Sequence, residues 1–175
     1  LLTYKHSLAK ETPKIIRILF PARMLRDKGV YEFIEAATIL KDKYRTKVEF
    51  VLSGDIDEHN RTSVKKSELE NWSNANIVNW IGYQSDMVNQ YTLADIVVLP
   101  SYREGLPKSL IEACSVGRPI VTTNVAGCKD VVKDGINGYL SEVKDSRSLT
   151  AAIDKLICDD LLRLKMGLEG RKMAE

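Results

Sequence analysis

Six short runs of apolar residues alternate with segments of helical spacing, and this alternation most limits the folds open to the chain. "DIVVLP" (95–100) is the plainest run, nearly all apolar, as in a strand covered on both faces. "KIIRILF" (14–20), "KVEFVLS" (47–53), "NIVNWIG" (76–82) and "PIVTT" (119–123) read as further strands, and "DGINGYL" (134–140) as two turn dipeptides leading into a short last one. Between them, Val30, Phe33, Ile34, Ala37 and Leu40 recur at helical spacing over about three turns. "TSVKKSELENW" (62–72) predicts a polar outer helix. Ser85 is the expected cap of a short helix through Leu93. A helix is expected from Pro107 to Val116, with Leu110, Ile111 and Cys114 facing the core and Glu112 on the flank. Leu149, Ala152, Ile153, Leu156 and Ile157 predict an amphipathic helix near the end. Strand–helix alternation with short connections predicts one α/β domain over residues 1–175, a doubly wound parallel sheet. In such a sheet ligands bind beyond the carboxyl ends of the strands, so the loops after strands matter most.

Composition excludes several alternatives. Twenty-six basic residues stand against 24 acidic ones, a net charge of +2, and the basic residues form no long run, which argues against a nucleic-acid partner. No apolar stretch reaches membrane-spanning length. Three cysteines with no C-x-x-C spacing read as reduced thiols of a cytoplasmic protein, Cys114 among them on an apolar helix face. The two histidines, His6 and His59, lie far apart without a surrounding carboxylate group and read as surface residues, so no metal is expected.

The loop after the first strand, "PARMLRDKG" (21–29), carries Arg23, Arg26 and Lys28 ahead of a helix start. Cations beside a helix N-terminus suit an anion such as a diphosphate; a solvated basic loop is the alternative. There is no G-x-G-x-x-G and no Walker loop. Gly54 follows the second strand, either as a turn residue or as a point where a ligand approaches the backbone. After the fourth strand, "SYREGLPKSLIEACSVGRPIV" (101–121) puts Glu104 in a loop and Glu112 roughly 7–8 Å along the following helix at 1.5 Å per residue. The two carboxylates need not touch, yet both can line one cleft, where a carboxylate suits a vicinal diol such as a ribose. The competing reading has Glu104 at the helix dipole and Glu112 paired with Lys108.

Residues 94–140, "ADIVVLPSYREGLPKSLIEACSVGRPIVTTNVAGCKDVVKDGINGYL", resemble the nucleotide-sugar-binding domain of retaining glycosyltransferase family 4. The resemblance rests on an E-x7-E signature (Glu104 to Glu112), "EACSVGRPIV" and a G-x-x-D-V-V-x-D-G-x-N-G run. Arg23, Lys28 and Gly29 match that family's R-x4-K-G loop, and "LSGD" (52–55) and "VNWIG" (78–82) match two further blocks in order. The match runs over roughly residues 15–157. It implies a Rossmann-like domain, one half of the two-domain GT-B fold. By position, it implies that Arg23 and Lys28 hold the donor's diphosphate and, with Glu104, serve as the catalytic groups, Glu104 orienting the donor sugar. Glu112 is implied at the ribose hydroxyls. The amides around Gly105 and Leu106 face the distal phosphate and sugar, and the Gly82–Tyr83 loop borders the base. The sequence departs from the family at Ile56-Asp57, where a glycine-rich turn is usual, at Asp130, where Glu is common, and at Pro107, which lacks an N–H.

The implied reaction is transfer of a hexose from a nucleoside-diphosphate sugar, of UDP or GDP type, to an acceptor hydroxyl with retained configuration and no cofactor. Cell-surface polysaccharide or glycoconjugate synthesis is the implied setting, in the cytoplasm or at the inner face of a membrane, with a sugar or lipid-linked acceptor. The chain opens on Leu1 and its last helical pattern has no stop signal, so it is expected to be the C-terminal donor domain of a longer protein, inactive without its N-terminal partner domain. The rival readings are a nucleotide-sugar epimerase or sugar phosphorylase of the same fold, or a non-catalytic nucleotide-binding module.

Overall fold

Branched and aromatic residues that alternate in a buried strand need cover on both sides, and the structure supplies it. The computed structural model describes residues 15–175; Leu1, His6 and Lys14 lie outside them. In β1 (Ile16–Pro21), Ile18 and Phe20 point to one face and Leu19 to the other, and all three are fully buried. With β2 (Val48–Ser53), β3 (Asn79–Gly82), β4 (Ile96–Leu99), β5 (Ile120–Thr123) and β6 (Gly138–Ser141), it forms one six-stranded sheet in the order β3-β2-β1-β4-β5-β6. Every pairing of these strands is parallel. This is the strand order of the doubly wound, Rossmann-like fold, whose switch point lies between β1 and β4.

One face is covered by α1 (Val30–Tyr44), α2 (Lys66–Asn74) and α6 (Ser146–Cys158). At its centre, Phe33 packs between Phe20 and Phe50 with ring centroids 5.3 and 5.5 Å away. The other face is covered by α3 (Met87–Leu93), α4 (Lys108–Ser115) and α5 (Ala126–Val131), where Tyr91, Leu110, Ala113, Cys114 and Cys128 meet Leu19, Val97 and Leu99. The last helix, α7 (Asp160–Ala174), packs against α4 and α6. No helix among the described residues is long and apolar enough to cross a membrane.

Several local expectations shift. Helix α1 is longer than the apolar spacing shows, because its last turn is solvated. Helix α2 starts at Lys66, not Thr62: the residues before it form turns stitched to the loop after β1, with Val64 N–H donating to Met24 O at 2.9 Å and Val64 buried. The short helix through Leu93 is capped by Asp86, not Ser85; the Asp86 carboxylate accepts from Asn89 N–H at 3.0 Å. Pro107 occupies the cap of α4 in an extended conformation instead of its first helical position. Ile111 is 37% exposed, and Ala113 takes the core position expected of it. Helix α5, six residues long, shows no helical period in the sequence.

Candidate functional site

The loops that follow β1 and β4 meet above the switch point. Gly29 has φ +80°, and a Cβ there would lie 2.2 Å from Pro100 O, so only glycine lets the two loops approach this closely. Tyr102 N–H and Ser101 Oγ both donate to Asp27 O, at 2.8 and 3.1 Å. The hydroxyl of Tyr102 donates to Glu32 Oε1 at 2.6 Å, and Lys144 lies over its ring. Burial, then the bond to Glu32, holds the Tyr102 phenol well above its usual range.

This junction brings Lys28 to Glu104. Their Nζ and Oε1 are 2.5 Å apart, and the Glu104 side chain is only 11% exposed. Arg23 does not join them. Its guanidinium bonds Asp57 Oδ2 at 2.5 Å, on the loop after β2. Gly105 and Leu106 are exposed just before α4, and the backbone of Gly105 and Glu104 rests directly on Gly127 at the start of α5.

Glu112 lies on the exposed flank of α4, as expected, but its partner is Tyr91 and not Lys108. The Tyr91 hydroxyl donates to Glu112 Oε2 at 3.0 Å. Burial first, then the Glu112 charge and this bond, push the Tyr91 phenol far above the usual range, so it remains a donor at all ordinary pH. Glu112 and Tyr91 line a cleft of about 400 Å³ with Tyr83, Met87, Val88 and Ser115. Tyr83 is 70% exposed at its rim, and its N–H donates to Asp55 Oδ1 at 3.1 Å, which fixes the turn after Gly82. Gly54 packs against the backbone of Ala22 and donates its N–H to Gly82 O at 2.8 Å, so it joins the loops after β1, β2 and β3.

The predicted residues therefore fall into three neighbouring groups at the carboxyl edge of the sheet: Lys28 with Glu104, Arg23 with Asp57, and Glu112 with Tyr83 across the cleft. Glu104 is not among the residues lining the cleft of about 400 Å³ at Glu112. Tyr91 carries no signal in the sequence, and Asp57 stands out there only as part of the Ile56-Asp57 departure; their bonds to Glu112 and Arg23 appear only in the structure. A larger cleft of about 710 Å³ lies at the opposite end, by Ile15, Lys41, Val48 and Asn76. It faces the amino ends of β1 and β2, where doubly wound sheets do not bind their ligands. Among the described residues no group of three or more His, Cys, Asp or Glu is placed to hold a metal ion, and His59 is exposed.

Comparisons with known proteins place the fold and the family. The family model of the group 1 glycosyl transferases matches residues 4–173. An N,N'-diacetylbacillosaminyl-diphospho-undecaprenol alpha-1,3-N-acetylgalactosaminyltransferase of Campylobacter jejuni is 38% identical over 149 residues, covering 85% of this chain and 37% of that protein. Among solved structures, the C-terminal domain of a group 1 glycosyl transferase, LpcC of Francisella tularensis, is 28% identical with a TM-score of 0.80, over 92% of this chain and 85% of that one. Anabaena HepE in complex with UDP and glucose shares the fold, with a TM-score of 0.81 at 22% identity over 92% of this chain and 44% of that one. The chain spans between about a third and a half of the length of the curated relatives it matches. It belongs to the group 1 glycosyltransferase family.

Proposed function

We propose that this chain is the donor-binding half of a retaining, two-domain glycosyltransferase of the GT-B type. The observation that carries the reading is the cleft in which Glu112, steadied by Tyr91, faces Tyr83. A carboxylate with one oxygen held by a buried hydroxyl presents the other to the vicinal diol of a ribose, and the exposed Tyr83 and Val88 offer apolar surface to a base. From there the diphosphate runs to the switch point, where Lys28 and Arg23 supply positive charge. Glu104 and the loop at Gly105 and Leu106 border the sugar.

In the transfer, the bond between the anomeric carbon and the diphosphate oxygen breaks, a bond to the acceptor oxygen forms, and the acceptor hydroxyl's proton passes to the departing diphosphate oxygen. The electron pair stays on the diphosphate, so stabilising that anion is the main catalytic task, and fixed cations perform it without a metal. The coverage of the LpcC C-terminal domain supports the donor-domain reading. The HepE complex supports UDP as the first donor nucleotide to try. The name of the Campylobacter relative supports a lipid-diphosphate-linked acceptor; we read the setting as cell-surface glycan synthesis at the cytoplasmic face of a membrane. The acceptor then docks on an N-terminal domain, and this chain alone transfers little or no hexose.

Calorimetric titration with UDP, GDP and ADP tests the reading. One nucleotide is expected to bind selectively, and Glu112→Ala to weaken it about tenfold or more, the scale of a hydrogen-bonded charge. An intact domain that binds none of them, or a Glu112→Ala variant that binds as well as the parent, overturns it.

A further inference from the structure

The Arg23 side chain is 60% exposed, and that of its partner Asp57 is 24% exposed. The carboxylate is the less exposed member of this pair, and the backbone that carries it is held in place. Asp57 N–H donates to Ser63 Oγ at 3.2 Å, and Asp57 O accepts from Asn60 N–H at 2.9 Å. The loop that carries it is stitched to the loop that carries Arg23: Met24 N–H donates to Asp55 O, Arg26 N–H to Thr62 O and Val64 N–H to Met24 O, all at 2.8–2.9 Å. Asp57 also stands at the position where the sequence departs from the glycine-rich turn of the resembling family.

We propose that Asp57 occupies the guanidinium of Arg23 in place of the ligand's phosphate and thereby limits affinity for nucleoside diphosphates, a role that rests on the reading of Arg23 as a phosphate-holding group. Exposed ion pairs are weak, so a diphosphate displaces the carboxylate readily. The displaced charge remains on a stitched loop close to the phosphate and repels it, an effect that added salt screens. A ligand without phosphate makes no use of Arg23 and is indifferent to Asp57. The residue therefore sets how strongly the site distinguishes a nucleoside diphosphate from its nucleoside.

The test compares the parent chain, Asp57→Asn, Arg23→Ala and the double variant, titrated with UDP, GDP, ADP and their nucleosides at low and high salt. Asp57→Asn preserves shape and every backbone bond of the loop. It is expected to tighten the preferred diphosphate about three- to tenfold, less at high salt, and to leave the nucleoside unchanged. Arg23→Ala is expected to weaken the diphosphate, and adding Asp57→Asn to it to recover less than Asp57→Asn gains alone. If Arg23→Ala weakens binding while Asp57→Asn leaves it unchanged or weaker, Asp57 only orients Arg23; the proposal is overturned and the diphosphate reading stands. If Arg23→Ala binds as tightly as the parent, or the parent binds none of UDP, GDP and ADP, the reading beneath the proposal fails with it.

Discussion

Tyr91 and Glu112 are joined by a 3.0 Å hydrogen bond between α3 and α4, the helices before and after β4. The phenol is buried in the core and its hydroxyl ends at an exposed carboxylate. It fixes one oxygen of Glu112, a residue that lines the cleft. Tyr91→Phe keeps the ring packing and removes only this donor. Because Glu112 is exposed and can hydrate, the loss is expected at the low end for a charged hydrogen bond, about 1 kcal/mol or less. Calorimetry should show UDP binding weakened about two- to fivefold, and 2′-deoxy-UDP weakened less. Equal weakening of both would mean that Tyr91 acts on packing and not on the carboxylate.

The pair of Lys28 and Glu104 carries a second prediction. Glu104 is largely covered, and Lys28 is its cation. Lys28→Ala leaves that carboxylate unpaired and is expected to cost about 1–2 kcal/mol in urea denaturation, below the range for a fully buried pair because Lys28 is 24% exposed. Adding Glu104→Gln should restore part of the loss. A Lys28→Ala variant as stable as the parent would show that the pair forms no lasting contact.

Gly127 connects the fold to the site. A Cβ there would stand 1.8 Å from Gly105 O and 2.7 Å from Glu104 O. Both atoms are backbone, so Gly127→Ala must push the Glu104 loop away from α5. A stability loss of about 1–3 kcal/mol is expected in thermal or urea melts, together with weakened nucleotide binding. Gly105→Ala is the control: its Cβ meets nothing within 4 Å, and stability should stay within about 0.5 kcal/mol.

Far from the site, Asp154 on α6 accepts from Lys43 Nζ at 2.8 Å and from Tyr44 Oη at 2.7 Å on α1. Burial raises its pKa, but the bonds from Lys43 and Tyr44 outweigh burial and leave it lowered. A carboxyl lowered on folding stabilises above its unfolded pKa of about 4, and that stability is lost as pH falls through the folded value. The stability gap between the parent and Asp154→Asn should thus hold from pH 7 to about 5 and close below about 4. A gap that does not change with pH would contradict this.

Much of this architecture was legible because β-rich runs and helical spacing are local properties. Strand order and contacts across loops are not. Arg23 and Asp57 lie 34 residues apart and Tyr91 and Glu112 lie 21 apart; they meet because β2 pairs with β1 and α3 packs beside α4. Nothing in the local pattern announces either contact. Helix phase explains the exchange of Ile111 for Ala113 in the core: a short helix with apolar residues on three sides does not reveal which one faces the sheet. Glu104 and Glu112 were legible as candidate carboxylates, one in the loop after β4 and one on the helix that follows it, but not the separate partners that hold them. Helix α5 is too short to repeat its pattern, and its importance lies in Gly127, whose contact with Gly105 is long-range.

The most direct test of the account is to map nucleotide contacts by ¹H–¹⁵N correlation spectra of the 175-residue chain during titration with UDP and GDP. The account predicts shifts confined to the carboxyl edge of the sheet: the amides near Arg23 and Lys28, Gly82 to Val88, Gly105 and Leu106, and Glu112 to Val116. Shifts centred instead on Lys41, Val48 and Asn76, at the larger cleft on the opposite edge, would contradict it.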